Sequence, residues 1–561
     1  MSLLPVSCVR VTPGDVVFSG TGDPQRIARV LAHPALEGTV VAMPGRRSRA
    51  FRPHVVLVVA GLLVLTACSE RVIVGSSDDT VPGRDVGITT PSPAPSGGPT
   101  TTPAPVVASD TITWESCGDV LECGSLDVPY DYTAPGVGSF RLHIVRRPAD
   151  DPSARIGSLL VNPGGPGFGG SMIAENAEWY FSPELLAAFD VVGWDPRGTG
   201  LSEPAIDCID SYDEYFSLDS PPGTPEEKEA LVASARAFNA ACEERNGGIL
   251  PYISTRHTAQ DIDAIRRALG EEKITYFGFS YGSELGATWV TMFPETVRAA
   301  VFDGAADPNA PSLEAALAQA KGFEQQLDAF LADCSADREC AFHSAGDTAG
   351  ALDRLTASID GRPVPTEGSR TPVTVGVLYT ALAQAMYSDA LWPELASALA
   401  AAVAGDGRGL LALYDAYYQR RADGTYGNEL EAFIAISCLD DPGPSGVAAV
   451  DEFIPQFERV AKRFGPNFAH GYSCALWPVP ADEKVVVTGV GAGPVVVVGT
   501  TGDAATPLDS SRKAASALED GILLVVEADR HTGYGVNQCI VDLVDGYLIR
   551  LQVPVTETVC R

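Results

Sequence analysis

An α/β fold with a mainly parallel, doubly wound sheet is what this sequence predicts, on three observations. Short runs of β-branched and aromatic residues, each the length of a buried strand, alternate with helical patterns along the chain. Strands separated by helices favour parallel pairing through right-handed crossovers. Residues of catalytic type, Ser280, Asp503 and His531, stand just beyond the C-terminal ends of three such runs, where an open α/β sheet forms its crevices.

The elements follow in order from Trp114. Residues 124–132 and 139–147 read as an antiparallel pair turned at Gly136 and Gly138. Residues 158–162 (S-L-L-V-N) form a short buried strand running into Pro163-Gly164-Gly165-Pro166-Gly167, a loop whose free backbone N–H groups suit an anion. Residues 189–195 form another buried strand, after which Asp195 and Arg197 belong to a structural turn. A polar helical excursion lies between Cys208 and Cys242. Thr258, with Asp261 three residues on, predicts a capping box for a helix ending near Leu269, with His257 packing or capping at its mouth. Residues 273–279 lead as a strand into Ser280, residues 283–290 leave it as a helix, and residues 298–303 are the next strand. Between Pro308 and Lys484 alanine-rich helical segments replace strands, as in an inserted cap, and the sheet resumes at 494–500 and 522–528. The expected division is a core in two parts, 110–308 and 491–561, with a helical cap at 309–490.

The composition, 45% hydrophobic and 20% charged, is that of a globular protein with ample core. A formal net charge of -33 argues against nucleic acid or an anionic membrane surface as a partner. Near the N-terminus, Arg46, Arg47, Arg49 and Arg52 precede the apolar run 55–65, and Leu65-Thr66-Ala67-Cys68 follows. This resembles a bacterial lipoprotein signal peptide (43–67) with its lipobox, which implies lipidation of Cys68 and contact with a membrane through that anchor alone. The apolar run falls short of the roughly 20 residues that span a bilayer. Residues 1–42 fit no export signal and read as an upstream extension, with Met43 the expected start. Residues 68–109, rich in Pro, Thr and Ser, read as an extended tether.

Apart from Cys8 and Cys68 there are ten cysteines, and their spacing suggests Cys117–Cys123, Cys208–Cys242, Cys334–Cys340, Cys438–Cys474 and Cys539–Cys560. An even number suits an exported, oxidised protein. No C-x-x-C or H-E-x-x-H motif is present, so neither a metal nor a cofactor is expected.

Ser280 lies in Y-F-G-F-S-Y-G-S, a G-x-S-x-G pattern in which a strand turns sharply into a helix. Only small residues two positions either side let strand and helix approach so closely. A serine hydroxyl needs a base to take its proton and a carboxylate to orient that base. His531, in a short glycine-containing loop after the last strand, is the candidate base, and Asp503, on the turn G-D-A-A-T-P one strand earlier, the candidate acid. Asp303 and Asp307 are alternative acids after the preceding strand. The chain order Ser, Asp, His is that of an α/β-hydrolase.

These motifs together resemble the secreted tripeptidyl aminopeptidases of actinobacteria, in the proline iminopeptidase branch of the α/β-hydrolases. The resemblance rests on N-P-G-G-P-G at 162–167, D-V-V-G-W-D-P-R-G-T-G-L-S at 190–202, G-F-S-Y-G-S at 278–283, A-I-S-C-L-D at 435–440, G-D-A-A-T-P at 502–507 and the His531 loop. It covers about residues 114–561 and implies an eight-stranded-type sheet with a helical cap. It also implies removal of short peptides from the N-terminus by Ser280, with the N–H groups of Gly165 and Tyr281 holding the oxyanion. An aminopeptidase needs an acidic partner for the substrate ammonium, for which Asp440 and Asp441 are candidates. An esterase using the same triad, and a non-catalytic envelope lipoprotein that binds peptides, are the alternative readings.

Overall fold

The structure is a computed structural model in which residues 111–561 are described. Residues 1–42, 43–67 and 68–109, with Cys68, lie outside the described residues.

Ten strands form one sheet in the order β1-β2-β3-β5-β4-β6-β7-β8-β9-β10. They are β1 (Glu115–Ser116), β2 (Glu122–Pro129), β3 (Ser139–Arg147), β4 (Gly157–Asn162), β5 (Phe189–Trp194), β6 (Ile274–Phe279), β7 (Val297–Asp303), β8 (Val495–Thr500), β9 (Gly521–Val526) and β10 (Thr558–Cys560). The pairs from β1 to β5 along the sheet are antiparallel. All pairs beyond β5 are parallel. The mainly parallel sheet expected from the sequence is therefore present.

β4, β5 and β8 are buried over their whole length, as apolar strands covered on both faces must be. Successive side chains feed opposite layers. Tyr276 and Val497 pack with Ile262, Leu285 and Trp289 on one face. Phe277 and Val496 pack with Val544, Tyr547 and Leu548 on the other. Each fully buried Val, Leu or Phe contributes about 1.5–3 kcal/mol relative to exposure.

Two edge strands, β1 and β10, exceed the eight-stranded type expected. At two and three residues they are too short to show a hydrophobic period. The predicted disulfides lie next to both, since Cys123 stands in β2 opposite Glu115 and Cys560 closes β10. All five pairings suggested by spacing are formed.

The helix before β6 is capped four residues earlier than a capping box at Thr258 implied. It spans Thr255–Ala268 and Ser254 caps it, its hydroxyl accepting the His257 N–H. Asp261 caps nothing: its carboxylate accepts from the buried Arg197 guanidinium at 2.5 and 2.7 Å and from the Tyr132 hydroxyl. The long-range ion pair outcompeted the local reading of the same residue. Arg197 is structural, as expected, donating also to the carbonyls of Tyr130 and Tyr252. Asp195 likewise accepts from Ser171 Oγ and from the Leu201 N–H.

Between β7 and β8 the described chain is helical, apart from two bridges, Val364 with Val373 and Ser388 with Arg530. Much of this insertion has its own core, with Phe323, Leu327, Leu382, Leu395 and Leu410 among its members. The helix Glu429–Asp440 departs from that pattern, since Ala432, Ala435, Ile436 and Leu439 join the core of the sheet. The excursion after Cys208 clasps the insertion through Arg370, whose guanidinium bridges Asp213 and Asp415.

Candidate active site

Ser280 follows β6 directly and precedes the helix Tyr281–Met292. Its φ of 54° and ψ of -126° put a non-glycine residue in a left-handed strained conformation, of the kind that clusters at functional sites. The turn is as tight as the sequence demanded: a Cβ on Gly278 would lie 2.2 Å from the Gly282 carbonyl oxygen. The Ser283 hydroxyl donates to the Ser280 carbonyl, and the Ser280 N–H donates to the Asp303 carbonyl at 2.8 Å. Strand, turn and helix are thus held by close-range bonds.

The glycine loop after β4 lies against this elbow. Gly164 has φ of 105°, and a Cβ there would stand 2.6 Å from the Phe279 carbonyl oxygen and 2.8 Å from Ser280 Cβ. Only glycine lets the loop come so near the serine. The Gly165 N–H makes no hydrogen bond among the described residues. Tyr281 is the first residue of its helix, and an N–H at that position has no intrahelical acceptor. Both sequence-derived donors are therefore unspent, at a helix end that favours negative charge.

Asp503 and His531 come from turns after β8 and β9. Both Asp503 carboxylate oxygens lie 2.9 Å from His531 Nδ1. A carboxylate can only accept, so Nδ1 carries the proton and Nε2 is left with its lone pair. Nε2 is buried without a hydrogen-bond partner among the described residues. Burial alone would lower the His531 pKa, but the charge and hydrogen bond of Asp503 override it and raise the imidazole above its ordinary value. Asp503 is held in turn by the N–H groups of Ala505 at 3.0 Å and Thr506 at 2.8 Å.

Thr506 is the residue that sequence reading missed. Its hydroxyl donates to Asp503 Oδ2 at 2.9 Å and lies 3.3 Å from His531 Nδ1. A hydroxyl three residues after a turn aspartate, inside G-D-A-A-T-P, was the available signal. The alternative acids are bonded to other groups. The Asp303 carboxylate accepts from the N–H groups of Gly533 and Tyr534, and Asp307 pairs with Lys513.

The insertion reaches both loops. Gln319 donates to the Ala505 carbonyl at 3.1 Å, and a Cβ on Gly322 would lie 2.4 Å from the Ala504 oxygen. The His531 N–H donates to the Tyr387 carbonyl at 2.9 Å, and the Tyr387 ring stands edge-on to the imidazole at 5.5 Å.

Asp440 and Asp441 are both engaged. The Asp440 carboxylate accepts from the Thr255 N–H at 2.9 Å and hydroxyl at 2.6 Å, and that hydroxyl also contacts the Tyr281 hydroxyl. Burial pushes Asp440 up to about 7. Asp441 accepts the N–H of Ser312 at the start of the helix Ser312–Ala336.

Comparison with known proteins adds the lineage. The pattern described as alpha/beta hydrolase fold matches residues 157–348, and that described as TAP-like protein matches residues 460–560. Serine protease Hip1 of Mycobacterium tuberculosis is 35% identical over 461 residues, covering 78% of this chain and 87% of that protein. Carboxylesterase B of the same organism is 35% identical, covering 82% and 91%. Tripeptidyl aminopeptidase of Streptomyces coelicolor is 33% identical, covering 78% and 84%. Among solved structures, proline iminopeptidase of Mycobacterium smegmatis aligns at 15% identity and a TM-score of 0.33, over 76% of this chain and 98% of that one.

Proposed function

We propose a specific chemistry for a chain that belongs to the TAP-like serine peptidases of the α/β-hydrolase family: it removes short peptides from the free N-terminus of its substrates through an acyl-enzyme. The observation that carries this reading is the pairing of His531 Nδ1 with both Asp503 oxygens, which leaves Nε2 free. Ser280 Oγ attacks the scissile carbonyl while His531 Nε2 takes its proton. The N–H groups of Gly165 and Tyr281 hold the oxyanion, a stabilisation worth about 100-fold to 1,000-fold in rate per donor. His531 then gives the proton to the departing amine, and water repeats the sequence on the ester.

Recognition of a free amine calls for an acidic partner. Asp440 supports that role better than Asp441, because its Thr255 partner also touches Tyr281, the neighbour of Ser280. A docked ammonium would favour the ionised form that burial disfavours. The relative named tripeptidyl aminopeptidase supports release of three residues at a time.

The reading is tested with one tripeptidyl anilide, free and N-acetylated, beside a nitrophenyl ester. Strong turnover of the free peptide only is expected. Equal turnover of the acetylated peptide would overturn the exopeptidase assignment, and a marked ester preference would favour the chemistry that the carboxylesterase relative's name describes.

Five disulfides support export to an oxidising compartment, with Cys68 as the proposed lipid anchor at the end of the tether 68–109. Mass spectrometry of the envelope-bound protein should find an acylated Cys68 at its N-terminus. An unmodified residue upstream of Cys68 would remove the anchor from the proposal.

A further inference from the structure

Asp303 is the last residue of β7, fully buried, and its backbone and side chain face two different parts of the site. Its carbonyl accepts the N–H of Ser280 at 2.8 Å. Its carboxylate oxygens accept the N–H groups of Gly533 at 2.7 Å and Tyr534 at 2.8 Å, two and three residues beyond His531. Between His531 and Gly533 stands Thr532, with φ of 69°, a left-handed conformation that costs a β-branched residue free energy unless its surroundings hold it. The imidazole lies against the residue just after the strand: a Cβ on Gly304 would lie 2.9 Å from His531 Cε1. One side chain therefore clamps the turn that aims the base, and the same residue's carbonyl clamps the turn that aims the serine.

No cation pairs with Asp303 among the described residues. Two backbone N–H groups compensate a buried charge only in part.

We propose that Asp303 is a positioning residue for His531: its carboxylate fixes the turn that carries the imidazole and sets a second negative charge beside it. This rests on the reading of Ser280, Asp503 and His531 as the reacting groups. When Ser280 gives up its proton, His531 becomes a cation inside the protein, and a buried anion nearby favours that state with little screening. The groups facing the imidazole are Asp503 and Asp303, which raise its pKa, Arg530, which lowers it, and the Tyr387 ring and Thr506 hydroxyl. Burial pushes Asp303 itself up to about 6, against the pull of its two N–H partners and of His531. It is thus ionised at neutral pH and neutralised in the range where an ordinary histidine titrates.

The test is the variant Asp303→Asn, whose amide oxygen still accepts one of the two N–H groups. The native protein is first labelled with a fluorophosphonate. Absence of label on Ser280 would overturn the site reading, which is a separate failure. With Ser280 labelled, pH profiles of kcat/KM are compared. Because the neutral imidazole is the active form and Asp303 raises its pKa, the acid limb should move to lower pH in Asp303→Asn, by roughly half a unit or more. The plateau kcat should fall about tenfold, from looser aim and the lost charge. Superimposable profiles would overturn the proposal, and so would a lower kcat with an unmoved acid limb, which a purely structural prop would give. Should Asp303→Asn fail to fold, Asp303→Ser takes its place: the same shift of the acid limb to lower pH is expected, and an unmoved limb would overturn the proposal.

Discussion

The turn at Ser280 is built mainly from residues close to it in sequence, whereas the turns that carry Asp503 and His531 also lean on residues far along the chain. Around the serine, Gly278, Gly282 and Ser283 form the turn. Around the acid and base, Gln319, Gly322 and Tyr387 of the insertion press on the turns after β8 and β9. On the proposed roles, the nucleophile then belongs to the sheet, while the base is held jointly by the sheet, through the Asp303 bonds to Gly533 and Tyr534, and by the Tyr387 carbonyl of the insertion. A change at Gln319, Gly322 or Tyr387 should then reach catalysis through the acid and base and spare the elbow.

The sharpest form of this contrast compares the two sides directly. Ser280→Ala should lower kcat/KM for a tripeptidyl anilide by at least about 10,000-fold with an unchanged melting temperature. Asp503→Asn, which leaves the elbow intact, should cost roughly 1,000-fold to 10,000-fold through the wrong imidazole tautomer. Retention of near-native turnover by Asp503→Asn would shift the acid to another carboxylate.

A smaller effect separates the insertion from the sheet. In Gly322→Ala the added methyl would meet the Ala504 oxygen at 2.4 Å, so the turn carrying Asp503 must move. A displacement of that kind costs on the order of 10-fold to 100-fold in kcat. If Gly322→Ala turned over at the native rate, the insertion would not be aiming the acid. Asp440→Asn probes another insertion residue and should raise KM for free-amine peptides by about tenfold, leaving nitrophenyl ester hydrolysis unaffected.

The pH profile follows from His531. Its folded pKa is raised above the ordinary value by Asp503, so activity, which needs the neutral imidazole, should be lost as pH falls through that raised pKa. In Asp503→Asn the residual activity should persist to lower pH, and an acid limb that stayed in place would separate the limb from His531. The least effect on catalysis is expected from Cys438→Ala with Cys474→Ala. This bridge closes a separation of 36 residues and should contribute about 4 kcal/mol to stability, read as a lower melting temperature with kcat little changed.

Much of the fold was legible because buried parallel strands are short, apolar and separated by helices. Residues 158–162, 189–195 and 494–500 signalled β4, β5 and β8 almost to their ends. β1 and β10 were not legible, since a period cannot be seen in two or three residues. Thr258 and Asp261 gave a local capping signal, and the tertiary pair Asp261–Arg197 overrode it. The helix Glu429–Asp440 reads as part of a cap, yet it packs into the core of the sheet, because helical periodicity says which face is apolar and nothing about what covers it.

The elbow motif, the glycine loop after β4 and the order Ser, Asp, His are properties of the sequence alone. Each depends on residue types at short spacing or on their position after a strand, and local sterics enforce such features wherever the chain places them. Only the tertiary structure decided which carboxylate meets His531, what Asp303 does instead, and that Thr506 and Tyr387 complete the surroundings of the base. Those contacts join segments far apart in the chain, and packing brings them within hydrogen-bonding range only when the whole sheet and its insertion have closed.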